Sequence, residues 1–384
     1  MDLEVQERTR AHYDRHAPAD ANSRQGMEER QNGLAFPLKQ FHNEVKKQLL
    51  YRFARDKPRL LDLACGRGGD LHKWVGAGVR YVKGLDLSPN EIDEARRRYQ
   101  ELLTRKPNLG QRFRADFEPS DILGVRDWMD EPGAPKYDIV SCMFAIHYFF
   151  VTEAGLKQFF RNVSLNLNTG GYFVGTCPDG KQVMSAIGDK AEVFKSPALI
   201  LRKLWQGKPA CFGSTFKCAI NDTVTQGLDD EGGSEEFLVF WNVLKALAQE
   251  VGLTPVAEYN DDMLDSSFLK GDKKHPFKHF NPRFDRSHPS LETASALNVA
   301  FVFQKASEPE GISSARIQKR KAEEESLDGA ASEQPTKRQK QADQNGHAPS
   351  TSQSDPQQGP PPSSAPGRYR GQGSELARLV MLLC

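Results

Sequence analysis

No run in this chain is long and apolar enough to span a bilayer. The opening MDLEVQERTRAHYD is charged throughout and has no apolar stretch to serve as a secretory signal. A soluble, intracellular protein without membrane association is therefore expected. An excess of one charge is also missing. Fifty-two basic against 51 acidic residues leave a formal net charge of +1, so an anionic substrate has to be met by a local patch. The six cysteines, at 65, 142, 177, 211, 218 and 384, lack C-x-x-C metal spacing. Three of them sit in apolar strand-like runs, so buried free thiols in a reducing compartment are expected, and no metal site.

What is present divides into a core and a tail. The chain is 38% hydrophobic over 384 residues, and the apolar residues are concentrated before about Lys305, enough for one large domain with extensions. From about Ser307 the composition shifts to Glu, Gln, Ser, Pro and Lys, a mixture that cannot offset its ordering entropy by burial. A core over 1–306 and a disordered tail over 307–384 are expected. Within the tail, Lys319, Arg320 and Lys321 form one basic cluster and Lys337, Arg338 and Lys340 another, the pattern of a bipartite nuclear-import signal or of a solvated charge run.

The core alternates strand, helix, strand. Apolar runs at 59–63, 81–87, 112–115, 137–142, 172–176, 256–259 and 299–303 read as strands. Ser88-Pro-Asn-Glu91 is a capping box opening a helix through Ala95, Tyr99 and Leu102. Leu156, Phe159, Phe160, Val163 and Leu167 recur at helical spacing up to Gly170-Gly171, and Phe237 to Val251 reads as a further helix. This order predicts an α/β fold: a doubly wound, mostly parallel seven-stranded sheet with helices on both faces and ligands beyond the carboxyl ends of the strands.

Several chemistry-bearing residues fall at those ends. DLACGRGGDLHKW, at 62–74, places Gly66, Gly68 and Gly69 between the first strand and a helix start, where glycines let backbone turn tightly against a ligand. Asp86, twenty residues past Gly66, ends the second strand, where a carboxylate can accept hydrogen bonds from a ribose. Asp116 follows the third strand candidate, and Ser141 to Tyr148 follows the fourth. The glycine run is G-R-G-G-D, without the G-x-x-G continuation that brings a helix close to a pyrophosphate. Methyl transfer from S-adenosylmethionine is thus favoured over hydride transfer with a nicotinamide. No nucleophile with a paired base stands near the cradle, so no catalytic general base is expected.

The motifs carry a family resemblance. DLACGRGGDLHKW, FAIHY at 144–148, EEFLVF at 235–240, RRRY at 96–99, LKQFHNEVKK at 38–47 and the HYD at 12–14 together resemble the eukaryotic mRNA cap guanine-N7 methyltransferases, from residue 12 to FVFQK at 301–305. The resemblance implies a class I methyltransferase fold, S-adenosylmethionine as cofactor, 5′-capped RNA as substrate, and a nuclear location. It also implies partners in the capping machinery or RNA polymerase II. Lys46, Ala64, Gly66, Asp86, Asp116, Met143 and Tyr148 would then hold the cofactor. His42, Asn43, Arg67, Lys73, Arg98, His147, Glu236 and Asn298 would meet the cap. Residues 1–58 would complete the site, and insertions at 190–235 and 260–292 would cover its substrate side.

Four positions depart from the family pattern: Ala64 for a glycine, His42 for an asparagine, Met143 for a glutamine and Asn298 for a tyrosine. Ala64 is expected to fit if its backbone keeps a negative φ. A methyltransferase of other substrates, or a non-catalytic cofactor-binding subunit, remain the alternatives. Glu236 alone reads as an acid at a helix start, and the resemblance assigns it to the guanine edge.

Overall fold

The computed structural model describes residues 3–15, 32–131, 133–220, 233–259, 268–271, 274–282, 284 and 289–306. The tail and its basic clusters lie outside the described residues. Helices α1 (Leu3–Arg15) and α2 (Phe36–Phe53) precede strand β1 (Arg59–Leu63). Then come α3 (Leu71–Gly76), β2 (Tyr81–Asp86), α4 (Pro89–Arg105), β3 (Arg114–Pro119), β4 (Tyr137–Met143), α5 (Glu153–Asn166) and β5 (Leu167–Pro178). Helix α6 (Gly180–Ile187) leads into four strands, β6 (Val193–Lys195), β7 (Leu199–Lys203), β8 (Thr215–Ile220) and β9 (Ser234–Phe237). The described core ends with α7 (Trp241–Glu250), β10 (Leu253–Pro255), β11 (Leu269–Lys270), β12 (Lys278–Phe280), α8 (Pro289–Ala296) and β13 (Asn298–Lys305).

The main sheet runs β11-β12-β13-β5-β4-β1-β2-β3, with β10 also on β13. Strands β1 to β5 pair in parallel and β13 lies antiparallel to β5. The seven expected strands correspond to β1 to β5, β10 and β13, with β10 at 253–255 instead of 256–259. Two short strands widen the sheet to nine, because β10 covers only residues 303–305 of β13 and leaves Val299 and Ala300 to pair with β12. A separate antiparallel sheet, β6-β7-β8-β9, occupies the 190–235 insertion and its border.

Both faces of the main sheet are packed. Along β13, Val299, Phe301 and Phe303 join one core with Phe159 and Phe160 of α5 and Val243 of α7. Ala300 and Val302 join the other, with Val45 of α2, Trp74 of α3 and Tyr99 of α4. This two-residue alternation is what a sheet buried on both sides requires. The Lys305 ammonium, buried at the end of β13, donates to the carbonyls of Ser164 and Leu167, so its desolvation is met by two acceptors.

Three further boundaries differ from the sequence reading. Helix α5 stops at Asn166, and Gly170-Gly171 lie inside β5, where a Cβ on Gly171 would come within 2.7 Å of the Asp138 carbonyl. Strand β3 runs four residues beyond Ala115, so Asp116 sits within it, not after it. Residues 234–237 form β9, not the start of a helix; α7 begins at Trp241. No helix among the described residues is long and apolar enough to cross a membrane.

Candidate active site

A cavity of about 330 Å³ opens at the carboxyl ends of β1, β2 and β4, and α1 covers it with Thr9 and Arg10. Its floor is the glycine loop. Gly66 and Gly68 have φ of +51° and +68°, and a Cβ on Gly68 would press to 3.3 Å against Ala95 of α4. Ala64 departs from expectation, because its φ is +62°, in the left-handed region. An L-residue there costs about 1–2 kcal/mol, partly offset by the smaller freedom of alanine in the unfolded chain. Ala64→Gly is therefore expected to stabilise the protein by about 0.5–1 kcal/mol, read as a higher melting temperature. A melting temperature that falls would contradict this account of the loop.

Asp86 ties the loop to β2. Its carboxylate accepts the Gly66 N–H at 2.7 Å and the Ser88 N–H at 2.9 Å. Burial pushes its pKa up to about 6 against those two hydrogen bonds. The capping box is half realised: the Ser88 hydroxyl accepts the Glu91 N–H, but the Glu91 carboxylate turns to Arg67, which it holds at 2.5 and 3.1 Å. The Ser88 hydroxyl in turn donates to Asp14 of α1 at 2.6 Å.

Acidic and basic groups are matched around the cavity. Asp62 is buried beneath it and accepts the Ser141 hydroxyl; burial and the charges of Asp70 and Asp86 push its pKa up to about 8. Asp70 is flanked by the ammonium groups of Lys46 and Lys73 at 2.8 and 2.7 Å. Burial opposes its ionisation, but these two cations outweigh it and hold Asp70 below the usual carboxylate range. Lys73 also donates to Asn43 at 2.9 Å.

Glu236 reaches the same region from β9. Its carboxylate accepts the hydroxyl of Tyr148 at 3.1 Å, the hydroxyl of Ser234, and Nε2 of His147. Burial raises its pKa, but His147 and the three hydrogen bonds reverse this and keep it lowered. His147 is 3% exposed, and its Nδ1 is buried with no hydrogen-bond partner among the described residues. Tyr148 lines both the 330 Å³ cavity and a second one of about 270 Å³ that carries Arg8, His12, Lys217, Ser234 and Glu235.

A third group lies beyond Phe144. The His42 ring stacks on Phe144 with centroids 5.1 Å apart and bonds to the Ser295 hydroxyl at 3.0 Å. Burial, with Lys46 adding to it, drives the His42 pKa down to about 3, so the ring is neutral. Asn298 donates to the carbonyls of Ala294 and Ser295 and so closes α8. Phe144 itself has φ +58° and is fixed by hydrogen bonds from its N–H to the carbonyl and hydroxyl of Thr176.

Lys46, Ala64, Gly66, Arg67, Asp86, Met143 and Tyr148 thus line one cavity. His147 and Glu236 join it through Tyr148, Asn43 and Lys73 through Asp70, and His42 and Asn298 through Ser295 and Phe144. Two residues are not brought there. Arg98 pairs with Glu94 at 2.7 Å on α4, and Asp116 pairs with Arg114 at 2.8 Å in a separate surface depression beside Tyr99.

The family model for the mRNA (guanine-N(7))-methyltransferase domain matches residues 2–334. The chain belongs to that family. Among similar members, the mRNA cap guanine-N(7) methyltransferase of Caenorhabditis elegans is 31% identical over 250 residues, covering 61% of this chain and 63% of that protein. The mRNA cap guanine-N(7) methyltransferase 1 of Arabidopsis thaliana is 30% identical over 325 residues, covering 78% of this chain and 81% of that protein. The chain thus spans less than two thirds of the worm relative's length. Among solved structures, an S-adenosylmethionine-dependent methyltransferase from Clostridium acetobutylicum aligns at 13% identity with TM-score 0.42, covering 77% of this chain and 99% of that one.

Within this mRNA (guanine-N7)-methyltransferase domain, several site residues escaped the sequence reading. Asp62 and Asp70 stand in the glycine motif itself, where only the glycines drew notice. Glu91 was legible as a helix cap and not as the partner of Arg67. Thr9 and Arg10 had no local signal, since α1 is placed by distant contacts such as Gln6 donating to the Asp121 carbonyl at 2.8 Å.

Proposed function

We propose that the protein transfers the methyl group of S-adenosylmethionine to N7 of the guanosine that caps the 5′ end of mRNA. The observation that carries this reading is the buried, ionised Glu236 bonded to Tyr148, which is also a wall of the donor cavity. It sets an acceptor for a guanine edge one side chain away from the methyl donor.

The residues suit a sulfonium donor. Asp62 is neutral near pH 7, Asp70 is flanked by Lys46 and Lys73, and Glu91 is held by Arg67, which leaves Asp86 as the cavity carboxylate not matched by a cation, a suitable neighbour for a cationic donor. Asp86 has lone pairs left for ribose hydroxyls, Lys46 would meet the amino-acid carboxylate, and Leu87 and Phe149 offer apolar surface to the adenine. The bound cofactor supplies an electrophilic methyl group, and guanine N7 supplies an in-plane lone pair without a proton.

No base is needed, so the protein's work is alignment and charge placement. The Glu236 carboxylate has about four acceptor positions, of which three donors occupy three. A guanine N1–H and 2-amino pair takes the open one and one now used by a neighbour. The basic clusters of the tail support a nuclear location, and family membership supports partners in the capping machinery.

Incubating the full chain with methyl-labelled S-adenosylmethionine and GpppG-capped RNA tests the reading. Label is expected in 7-methylguanosine after nuclease digestion. Label confined to ribose or to internal bases contradicts the proposal.

A further inference from the structure

Many cations on this surface are paired. Arg59 is held by Asp130, Arg67 by Glu91, Arg96 by Asp93, Arg97 by Glu94 and Glu101, Arg98 by Glu94, and Arg161 by Asp127. Exposed cations with no ion-pair partner among the described residues include Arg80, Arg105, Lys106 and Arg112, and others such as Arg126, Lys195 and Lys245 lie elsewhere. The first four cluster around the 3₁₀ turn Pro107–Gln111, where α4 ends and β3 begins. Concentrating unpaired charge here is not a bulk effect, since the net charge is only +1.

The same place is concave. A depression of about 470 Å³ between Arg80 and Arg112 has Val75, Val79 and Leu109 in its wall. It shares Gly110 and Arg114 with a second depression of about 520 Å³ that continues along β3 to Phe117 and Arg96. Together they make one trough beside the outermost strand of the sheet. The trough is anchored at one end by the Arg114 N–H on the Arg80 carbonyl. At the other end of β3 the Ser120 N–H bonds to the carbonyl of Asp86, at the mouth of the donor cavity. Strand β3 spans about 20 Å between them. Four carboxylates stand near this path: Asp56, beside Gly78, Asp93 on Arg96, Asp116 on Arg114, and Glu118 of β3 on Lys83. His72 reports the field from α3, its pKa lowered by burial and then by Lys106, Lys73 and Arg105.

We propose that this trough binds the phosphate backbone of the RNA behind the cap, leading the transcript from the donor cavity along the β3 edge to Arg80 and Arg112. The assignment rests on capped RNA being the substrate. Exposed, unpaired arginines suit phosphates, whose contacts position a strand without reading its sequence. The half-buried Val75 and Leu103 in its walls give bases an apolar surface that shows no preference among them.

The double variant R80E/R112E, made in the full chain, separates this from the active site. Against a capped RNA of about 20 nucleotides, KM is expected to rise about tenfold. The slope of log affinity against log salt should shrink by about 1.4, as it does when two fewer phosphates of a single strand are neutralised. Against the cap dinucleotide GpppG, KM and kcat should match the wild type, and R80K/R112K should restore the long-RNA value. Fluorescence anisotropy with an uncapped oligonucleotide reads the trough without any methyl transfer. If the wild type methylates no cap yet the variant loses this binding, the methyl-transfer reading fails and the trough stands. Unchanged KM and unchanged anisotropy overturn the proposal. So does anisotropy that stays constant for RNA but falls for a labelled polyglutamate peptide, which would make the trough a site for acidic protein.

Discussion

Glu236→Ala is expected to lower kcat/KM on capped RNA by about a thousandfold, with the dissociation constant of S-adenosylmethionine changing by less than about fivefold. Each hydrogen bond to a charged acceptor contributes about 1.5–3 kcal/mol, and in the proposed complex a guanine edge makes two with this carboxylate. Their loss therefore amounts to about 3–6 kcal/mol. The cofactor cavity does not include Glu236, so donor binding, measured by calorimetry, doubles as a check that the fold survives. Some stability is lost as well, because Tyr148, Ser234 and His147 each lose an acceptor. Glu236→Gln keeps one acceptor oxygen and should fall between the two. Wild-type kcat/KM in Glu236→Ala would remove the guanine-edge role. The lowered pKa also fixes a direction: Glu236 stays ionised below the ordinary glutamate range, so activity does not fall on its account between neutral pH and about pH 5.

Asp86→Ala should act on the other substrate. S-adenosylmethionine affinity is expected to drop by a factor of about a hundred or more, since the substitution removes the proposed ribose acceptor and leaves the Gly66 and Ser88 N–H groups without one. The pH dependence follows from its pKa of about 6 in the ligand-free protein. Hydroxyl donors and a cationic ligand favour the ionised form, so affinity rises with pH through about 6 and then levels. At pH 5, about a tenth of the carboxylate is ionised, and binding should be about tenfold weaker than at pH 7.5. The stability of the empty protein runs the opposite way. A folded pKa raised above the unfolded value near 3.9 gives a contribution present below about pH 4 and lost as pH climbs through 6. Calorimetry at both pH values checks the binding arm; affinity that is flat from pH 5 to 7.5 would mean that Asp86 is not the titrating acceptor.

The parallel half of the fold was legible because its signals are local. Apolar runs end in glycines or a cap, and Ser88 caps α4 as its sequence indicated. The failures came where partners far along the chain decide. Residues 234–237 follow an inconspicuous glycine and look like the start of α7, yet they pair with Thr215 to Cys218 and become a strand. That register, set across a long connection, puts Glu236 opposite Phe216 and turns it toward His147. At β3 the charge of Asp116 looked like a strand end. Burial of Phe113, Ala115 and Phe117 at two-residue spacing carries the strand through it and leaves Asp116 pointing away from the cavity.

The site residues divide the same way. Gly66, Asp86 and Tyr148 belong to motifs whose order along the chain follows strand order, which brought them to one edge of the sheet, while the family resemblance supplied the role of Tyr148. Arg67 was assigned to the cap by the family resemblance, and its ion pair with Glu91, legible only as a cap residue, could not be read from the sequence. Ala64 was expected at negative φ, and only the bond from the Cys65 N–H to the Leu85 carbonyl, with the turn it imposes, shows why the loop takes the other hand.

Tyr148 is one side chain with two addresses, its ring in the donor cavity and its hydroxyl on Glu236. Thermodynamic linkage follows from that. Whatever factor a bound donor applies to the affinity for the cap, through the position of this ring, the cap must apply to the affinity for the donor.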